Sequence, residues 1–498
     1  MNSDASDLTL MTQMCRAEQR QWNNQSVRAR LQPVRAFRKL VVNENTMLCE
    51  AVAKDIGKRP AETLACELIP LAEACRFLER RAAWILRPRH VPLRQCPLWL
   101  WGQRDVVHHR PRGIIGIIGT WNYPHFLSGV QLLQALTAGN GVIWKPSEIT
   151  PHSADALWSL LLRSGFPGGL LQRLPGTREA GKQLAEASID HVIFTGHAET
   201  GRQLAAALGK RLVSSTLELS GCDAMFVLDD ADVQLAAKAA WFGANINAGQ
   251  TCLAVRRAFV DRKAYPAFLE ALKPLAASTL PVRLALPSAG KFASELAARA
   301  LGEGARLLGD HAMLADGAAF RPVVVIDAKP KMAICRDATF APIMAVIPYE
   351  RLEDALNAHE QSPYGLGLSI FTEKPQRAHR LAARLRVGMV SINDVIAPTG
   401  HAGTPFGGRG ASGWGVTQGA EGLREMTVPQ VVSTRSGSFR PHYDPPDSTT
   451  MTSRETLENL LRLEYGSGVR HRASSAWRLI RGSVGSLIAN PLSSWFKK

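Results

Sequence analysis

The sequence predicts an α/β protein with two doubly wound parallel-sheet domains and a small β arm. Short apolar runs bounded by glycine or proline alternate with helical patterns from residue 113 to 219, and the alternation resumes from residue 224 to 392. The 498 residues suffice for two or three domains with full-sized cores. Hydrophobic residues make up 46% and charged residues 20% of the chain, as in globular proteins.

The N-terminal part predicts helices that cover one side of a sheet. Residues 8–40, 47–56 and 61–86 carry apolar residues at helical spacing. The last two helices are separated by residues 57–60, where a glycine followed by a proline predicts a helix end and a new start. Residues 96–110 are aromatic and are predicted to be extended, as in a hairpin.

The first parallel sheet is predicted from five short strands. Residues 113–119 form a continuous apolar run with glycines at both ends, which is typical of a buried parallel strand. A helical pattern follows at 126–138, and further strands are predicted at 141–146, 170–174, 191–194 and 212–217. Ligands bind such sheets at the carboxyl ends of the strands, where Asn122, Lys145 and Gly196 are expected.

A second α/β pattern begins at residue 224. Its helix is predicted at 233–243, and its strands at 225–227, 257–260, 322–326, 341–347, 366–371 and 388–392. Residues 404–415 are dense in glycine, which predicts a loop that presents Phe406.

Asn247-Ala248-Gly249-Gln250-Thr251-Cys252 is the strongest candidate for a catalytic segment. It places a thiol after a small, flexible run in which a backbone amide can face the same space as the sulfur. Glu218 closes an earlier apolar run before Gly221. A thiolate attacks carbonyl carbon, and a positioned carboxylate activates water to release the acyl group. Because most cysteines in a large chain are small buried hydrophobic residues, spacing alone leaves both interpretations open.

A second candidate site lies at residues 194–201. No GxGxxG motif follows the predicted strands of the first sheet, but Gly196 and Gly201 follow a strand and open a helix. Glycines five apart at a helix N-terminus let a pyrophosphate approach the backbone amides. An ordinary turn between a strand and a helix has the same pattern.

The composition excludes several other classes. The eight cysteines form no CxxC pair, which favours reduced thiols in a cytoplasmic protein over disulfides or a metal site. The N-terminus lacks the pattern of a signal peptide, and no apolar run approaches the ~20 residues of a membrane span. The formal charge of +16 is not accompanied by a nucleic-acid-binding motif, so nucleic acid is not expected as a partner.

The C-terminal segment predicts a basic amphipathic helix. Residues 441–446 predict a linker, residues 454–465 a helix, and residues 469–498 contain six lysines and arginines and no acidic residue. Apolar residues recur at helical spacing before a Trp-Phe-Lys-Lys end, namely Trp477, Ile480, Val484, Leu487 and Ile488. This pattern favours a peripheral membrane anchor. A helix that packs on its own subunit, or one that contacts nucleic acid or protein, stays open.

Six motifs occur in the order typical of the aldehyde dehydrogenase superfamily. They are Thr120-Trp121-Asn122-Tyr123-Pro124, Lys145-Pro146-Ser147-Glu148, Phe194-Thr195-Gly196, Leu217-Glu218-Leu219-Ser220-Gly221, Gly249-Gln250-Thr251-Cys252 and Pro405-Phe406-Gly407-Gly408. Over about residues 25 to 435 the chain therefore resembles an NAD(P)-dependent aldehyde dehydrogenase. Residues 55–60 with Glu62 and Glu67, and Asn393-Asp394, are similar to the class 3 branch, which includes fatty and aromatic aldehyde dehydrogenases.

The resemblance implies a catalytic role for three residues. Cys252 attacks the aldehyde, and Asn122 together with the Cys252 N–H stabilises the oxyanion. Glu218 then activates the water that hydrolyses the thioester to the carboxylic acid.

The resemblance also implies a cofactor site. Lys145 and Glu148 resemble the pair that holds the adenosine ribose, and a glutamate there repels a 2′-phosphate, so NAD is expected and NADP stays open. Phe406 packs beside the nicotinamide or substrate, or anchors its loop in the core. The remaining cofactor-binding candidates are Thr120, Trp121, Thr195, Gly196, Gly201 and Phe340.

Three positions depart from the family pattern. Ala338 stands where the family has a glutamate that holds the nicotinamide ribose, which loosens the cofactor. His197 replaces a serine beside the pyrophosphate. Asp223 follows Gly221 and Cys222 where the family has a lysine, and it is expected to raise the pKa of Glu218 if the two are close.

These observations predict a homodimeric aldehyde dehydrogenase that oxidises a small-molecule aldehyde. The alternatives are a CoA-acylating or phosphorylating dehydrogenase, and a catalytically weak scaffold at a membrane surface. The expected regions are N-terminal helices at 1–95, an oligomerisation arm at 96–110 and 420–437, an NAD(P)-binding domain at 111–223, a catalytic domain at 224–419 and the basic tail at 438–498.

Overall fold

The first parallel sheet contains an apolar strand that is buried along its whole length. The computed structural model describes residues 2–100, 102–309, 315–316, 319–438, 440–443, 445 and 452–488, and it describes their side chains except at residues 2–6, 98, 315–316, 441 and 482–488. All five residues of Ile114–Ile118 are buried, because parallel strands lie between helices on both faces. The predicted side-chain pattern of Val484, Leu487 and Ile488, and the end at 495–498, lie outside this description.

In the described chain the first sheet has six strands, and neighbours are parallel except at the first pair. Their spatial order is Gly413–Trp414, Ser214–Leu219, His191–Gly196, Ile114–Ile118, Gly141–Lys145 and Leu171–Arg173. The strand order reverses beside Ile114–Ile118, which is the first strand of this sheet in sequence. This reversal makes the sheet doubly wound, as predicted.

The second sheet has seven strands in the described chain and is also parallel except at its first pair. Their order is Arg306–Leu307, Val323–Ile326, Ile343–Tyr349, Val255–Asp261, Asp223–Val227, Gly367–Phe371 and Met389–Ile392. The fold class expected from the alternating pattern is therefore confirmed.

Smaller sheets complete the β structure. Arg89–His90, Gln103–Pro111 and Thr427–Arg435 form a three-stranded arm sheet. Val282–Arg283 pairs with Ala319–Phe320, which also pairs with Ala315–Asp316, and Tyr364–Gly365 pairs with Arg409–Gly410.

Helices cover both large sheets. Their bounds are Asn2–Asn23, Val27–Asn43, Asn45–Ile56, Pro60–Thr63, Ile69–Ile85, Phe126–Ala138, Pro151–Arg163, Arg178–Glu186, Ala198–Gly209, Val233–Asn245, Tyr265–Ala277, Pro287–Gly302, Leu352–Glu360, Pro375–Ala382, Gly419–Glu425, Arg454–Tyr465 and Val469–Ile488. Short 3₁₀ turns lie at Leu93–Gln95, Leu98–Leu100, Ile246–Gly249, Ala333–Cys335, Ala397–Gly400 and Pro441–Tyr443, and a π-turn at Leu64–Leu68.

Three predicted elements differ from the structure. The helix expected over 8–40 breaks at residues 24–26, because the Ser26 hydroxyl caps a new helix by accepting the Ala29 N–H at 3.2 Å. The helix expected over 61–86 contains the π-turn, which turns Glu67 inward. Residues 96–110 are extended only from Gln103, because a 3₁₀ turn precedes that strand.

The chain divides into two units. One comprises Met1–Leu86 and Arg110–Val428 and holds both large sheets, and the other comprises Arg87–His109 and Pro429–Lys498. In the second unit, the two C-terminal helices contact each other, with Arg472 donating to the Leu463 carbonyl at 2.9 Å. No helix within the described ranges is both long enough and apolar enough to cross a bilayer.

Candidate active site

The thiol loop, residues 247–252, has a strained backbone. Asn247 and Ala248 have φ of 53° and 54°, and Gly249 has φ of 71°. Left-handed geometry costs a non-glycine residue roughly 1–2 kcal/mol. At Gly249 a side chain is also excluded by space, since a Cβ would lie 2.4 Å from the Pro342 nitrogen.

Contacts from remote segments hold this loop. The Asn247 N–H donates to the Glu62 carboxylate at 2.5 Å, and its side-chain amide donates to the Asn122 carbonyl at 2.8 Å. The buried Arg256 guanidinium donates to the Gly249 carbonyl. The sequence predicted a flexible run here, and the structure adds hydrogen bonds from outside the loop to Asn247 and Gly249.

Cys252 is partly buried at the end of the loop and lines two cavities. Burial, together with the charges of Asp223 and Glu218, raises the pKa of its thiol to about 12. The backbone N–H groups of Leu253 and Cys252 act in the opposite direction. The thiol of this structure is therefore protonated at neutral pH and needs a base to react.

Glu218 is a carboxyl group that lines the same cleft as Cys252. It lies in Ser214–Leu219, and its carboxylate accepts hydrogen bonds from Thr195 Oγ1 at 3.1 Å, from Gln131 Nε2 at 3.3 Å and from the Thr417 hydroxyl. Burial raises the pKa of Glu218 to about 7, although these hydrogen bonds oppose the shift. A carboxyl group with this pKa accepts and releases protons near neutral pH.

Asp223 acts on a different group from the one expected. It was predicted to raise the pKa of Glu218, but burial causes that shift and Asp223 does not contribute to it. Its charge acts on Cys252 instead. Burial also raises the pKa of Asp223 itself, to about 8.

Asn122 is buried beside the loop with its amide oriented by two partners. Its Oδ1 accepts from the Thr120 hydroxyl at 3.0 Å, and its Nδ2 donates to the Gln250 carbonyl at 3.0 Å. Because an amide nitrogen carries two hydrogens, the second remains available for a substrate oxygen.

A buried ion pair supports Asn122. Lys58 Nζ lies 2.6 Å from Glu67 Oε1, donates to the Asn122 carbonyl at 2.7 Å, and lies over the Tyr123 ring at 4.2 Å. The other Glu67 oxygen accepts the His125 N–H at 2.9 Å. Sequence reasoning assigned this pair no role. The available signal was two opposite charges nine residues apart around a helix start, in a segment already noted for its resemblance.

A cleft of about 330 Å³ joins the carboxyl ends of the first sheet to the thiol loop. It brings together nine of the predicted site residues, namely Thr120, Trp121, Asn122, Thr195, Gly196, Glu218, Cys252, Phe340 and Phe406. Ala338 and His197 also line it, and His197 caps the helix Ala198–Gly209 through Nδ1, which accepts the Glu199 N–H at 3.3 Å.

Three predicted residues lie beside this cleft. Lys145 ends the next strand, with its Nζ 3.1 Å from Glu148 Oε2, and Arg178 Nε lies 3.5 Å from the other Glu148 oxygen. Gly201 is inside a helix, and a Cβ there would lie 2.5 Å from Leu219. Gly201 therefore allows close helix–strand packing.

The cleft fits a dinucleotide. The N-terminal amides of Ala198–Gly209 suit a pyrophosphate, and Lys145 with Glu148 supplies a donor and an acceptor for ribose hydroxyls. Trp121 and Phe340 present aromatic rings with centroids 5.9 Å apart. Ala338 supplies no carboxylate for the second ribose of a dinucleotide. The polar groups of the cleft therefore favour binding of the adenosine half of the dinucleotide.

Cys252 also lines a second cavity, of about 280 Å³. Phe406 borders both spaces, is buried with Leu253 and Leu366, and exchanges two 2.8 Å backbone hydrogen bonds with Thr417. It therefore anchors its loop, and its packing beside the nicotinamide or substrate stays a prediction.

Two doubly wound sheets with a thiol, a carboxyl base and a dinucleotide-type cleft define a class of oxidoreductase that acts on carbonyl carbon. The sequence matches the Aldehyde dehydrogenase family over residues 1–432, and the chain belongs to that family. It is an NAD(P)-dependent oxidoreductase acting on the aldehyde group.

Named relatives agree with this assignment. The chain is 34% identical over 420 residues to 4,4′-diapolycopene aldehyde oxidase of Methylomonas sp, covering 82% of this chain and 78% of that protein. It is 31% identical over 443 residues to a Mycobacterium ulcerans protein assigned provisionally as an NADP-dependent succinate-semialdehyde dehydrogenase, covering 86% and 85%.

A solved structure agrees as well. The aldehyde dehydrogenase of Mycobacterium tuberculosis complexed with NAD+ superposes with a TM-score of 0.80 at 27% identity, covering 88% of this chain and 92% of that one. None of these names specifies a branch of the family, so the class 3 resemblance stays a prediction.

Proposed function

We propose that the enzyme oxidises its aldehyde hydrolytically, with Cys252 as the nucleophile, Asn122 as an oxyanion donor and Glu218 as the base. One observation carries the proposal: all three side chains line a single cleft, and Cys252 also lines a second cavity. An aldehyde entering from that cavity meets the sulfur before it meets the cleft.

The first stage is attack by sulfur. Glu218 takes the thiol proton, directly or through a water molecule, and the sulfur bonds to the carbonyl carbon. The carbonyl oxygen becomes an oxyanion, which accepts from the free Asn122 Nδ2–H and from the Cys252 N–H. A well-aimed donor of this kind lowers a barrier by roughly 3–4 kcal/mol.

The second stage releases the acid. When bound, the nicotinamide accepts the hydride that leaves the substrate carbon. The acyl group is then held on Cys252 as a thioester. Glu218 releases the thiol proton to solvent, and its carboxylate then takes a proton from the attacking water. The carbon–sulfur bond breaks, the thiol regains its proton, and the carboxylic acid leaves.

For the cofactor we propose that Lys145 and Glu148 hold the adenosine ribose. Glu148 disfavours a 2′-phosphate, but the exposed Arg178 guanidinium beside it offsets part of that charge. This arrangement supports NAD as the preferred cofactor and NADP as a second one. Thr195, Gly196 and the first turn of Ala198–Gly209 are proposed to hold the pyrophosphate.

For the substrate we propose an apolar aldehyde. The relatives are named for two kinds, the polyene aldehyde of the Methylomonas protein and a semialdehyde with a carboxylate. Every residue that lines the cavity at Cys252 is uncharged. Because an unpaired carboxylate is costly to bury, this lining supports the apolar class.

The arm and the tail support two further proposals. We propose a homodimer through Thr427–Arg435, an edge strand on which Val431 is 60% exposed. We also propose that Val469–Ile488 binds an anionic membrane surface, because Trp477 and Ile480 are both exposed three residues apart on a basic helix. The domain boundaries expected from sequence are proposed unchanged.

The test is formation of NADH and NADPH with purified protein and simple aldehydes, without and with CoA or phosphate. Turnover without an added acceptor is expected, and it should be lost in Cys252→Ala and in Glu218→Gln. Turnover only with CoA or phosphate would instead establish an acylating or phosphorylating enzyme. If the protein shows no turnover under any of these conditions, the result would favour the alternative of a catalytically weak scaffold at a membrane surface.

A further inference from the structure

Ser220 is a further polar residue that lines the cleft beside Glu218. It follows the strand Ser214–Leu219 directly, at the carboxyl end of the first sheet, where doubly wound folds bind their ligands. The residue is only 3% exposed. Its position therefore puts a nearly buried hydroxyl group at the edge of the reaction space.

The backbone of Ser220 is fixed by its neighbours. The Leu219 N–H donates to the Ser412 carbonyl at 3.1 Å, and the Ser412 hydroxyl donates to the Ser220 carbonyl at 2.8 Å. Gly221 comes next, and a Cβ on it would lie 2.5 Å from the Cys252 carbonyl oxygen. Ser220 is therefore held along the segment that leads from the carboxyl base to the residue with the thiol.

The side chain of Ser220 is free, unlike its backbone. Its hydroxyl makes no hydrogen bond within the residues that the structure describes, whereas the Ser412 hydroxyl makes two. Leu219 packs against Gly201 on one face of the sheet. Because side chains alternate along a strand, Ser220 lies on the same face as Glu218. An almost buried hydroxyl without a partner is unfavourable, so water or a bound group in the cleft supplies one.

The attacking water needs a second partner besides Glu218. Of its two hydrogens, Glu218 takes one, and an acceptor in the cleft has to hold the other. Thr195 Oγ1 already donates to Glu218 at 3.1 Å and accepts from Gln131 Nε2 at 2.9 Å. The Ser220 hydroxyl has both of its lone pairs available. It is therefore the better acceptor for the second hydrogen.

We propose that Ser220 holds the water that attacks the thioester, by accepting the water hydrogen that Glu218 does not take. This rests on the proposed function, since it requires an acyl group on Cys252 and Glu218 as the base. The water oxygen bonds to the acyl carbon, and one water proton passes to Glu218. The sulfur leaves with the bonding electrons and regains a proton from Glu218, while Ser220 keeps its own proton throughout.

The proposal separates the two chemical stages. A water oriented by two groups is already placed for attack, which lowers the barrier of thioester hydrolysis. Hydride transfer occurs before this water is used. Loss of the Ser220 hydroxyl should therefore slow deacylation and leave the formation of the thioester unchanged.

The experiment compares the wild type with Ser220→Ala and Ser164→Ala, using hexanal and NAD. Ser164→Ala is the matched control, because Ser164 is 4% exposed and its hydroxyl donates to the Leu160 carbonyl in a helix outside the cleft. Rapid mixing gives the rate of NADH formation in the first turnover. Mass spectrometry of acid-quenched protein gives the fraction of Cys252 that is acylated, and kcat divided by that fraction is the deacylation rate constant.

In Ser220→Ala we expect an unchanged first turnover and a deacylation rate constant about tenfold lower. Ser164→Ala should match the wild type in both. The deacylation rate constant of Ser220→Ala should still fall at low pH with the wild-type midpoint, because Glu218 remains the base. A shifted midpoint would show that Ser220 acts on Glu218 rather than on the water, and it would overturn the proposal.

Two further results would contradict the role of Ser220. Equal deacylation rate constants in the wild type and Ser220→Ala would overturn it, and so would a slower first turnover with unchanged deacylation. Failure of the proposed function has a different signature. It would appear in the wild type itself, as the absence of acylated Cys252 or as release of the acyl group only to CoA or phosphate, and the role of Ser220 would then fail as well.

Discussion

Glu218 combines deep burial with three hydrogen-bond donors. The donors stabilise its carboxylate, but burial outweighs them and leaves its pKa at about 7. The group is therefore matched to proton transfer at neutral pH, which a carboxyl group with an ordinary pKa is not. Its protonation state should be visible in the kinetics.

The first prediction concerns the pH dependence of kcat. Below about pH 7 Glu218 is protonated and cannot take a proton, so kcat should fall as pH falls through its pKa. Glu218→Gln should lower kcat by about 100-fold or more and remove this fall of kcat at low pH. Glu353→Gln, which alters an exposed carboxylate paired with Arg384, should keep it. If the kcat of Glu218→Gln still falls as pH falls, the titrating group is a different one.

The second prediction concerns Asp223. Above its own pKa of about 8 its negative charge disfavours the Cys252 thiolate, so Asp223→Asn should lower the pKa of the thiol. Alkylation of Cys252 by iodoacetamide, followed by mass spectrometry across alkaline pH, should become several-fold faster. The Cys252→Ala protein identifies the signal. An unchanged rate would show that the charge of Asp223 does not reach the sulfur.

At the scale of elements, the π-turn Leu64–Leu68 is the point at which the structure differs most from the predicted helices. It turns Glu67 into the interior, where the carboxylate meets Lys58, and the ammonium in turn holds the backbone of Asn122. π-turns inside helices often lie at functional sites. One local distortion thus links a helix to the oxyanion donor.

The third prediction tests that pair. Glu67→Gln leaves the Lys58 ammonium buried without its counter-charge, which costs roughly 3–5 kcal/mol. The thermal unfolding midpoint should fall by several degrees. Glu73→Gln, on the same helical segment and paired with Arg76 at about half exposure, should leave it unchanged. Equal midpoints for the two variants would contradict a structural role for the pair.

Local prediction succeeded where local chemistry decides the element. The helix Phe126–Ala138 was predicted to the residue, because Gly139 ends it with a φ of 102°. The helix Arg454–Tyr465 was likewise predicted, and Ser453 caps it by accepting the Thr456 N–H at 3.3 Å. The conformation of the thiol loop was not predicted, because it depends on hydrogen bonds with Glu62 and Arg256, which lie outside the loop.

At the scale of the whole molecule, the proposed homodimer and the proposed membrane-surface binding both involve the second unit. The fourth prediction is that Val431→Lys weakens the proposed homodimer, because a charged side chain on an exposed edge strand opposes pairing. Sedimentation velocity should show a shift to monomer. Val469→Lys, at an exposed valine outside the arm, is the control. A wild-type monomer would overturn the dimer proposal.

The fifth prediction concerns the basic helix. Trp477→Ala with Ile480→Ala should reduce cosedimentation of the full chain with phosphatidylserine vesicles, while neutral vesicles bind weakly throughout. Trp84→Ala is the matched control, because Trp84 is similarly exposed and lies against Arg81 as Trp477 lies against Arg481. Equal sedimentation of all variants would indicate that the helix has another partner.

The sequence by itself determined the two parallel sheets, the order of the motifs and the candidacy of Cys252, Glu218 and Asn122. Strand burial and helix ends follow from neighbours in the chain, and motifs are short enough to be recognised locally. Only the tertiary structure decided which charges act on Cys252 and that Glu218 is buried beside three hydrogen-bond donors. These properties depend on distances between groups far apart in sequence, and such distances exist only once the chain has folded.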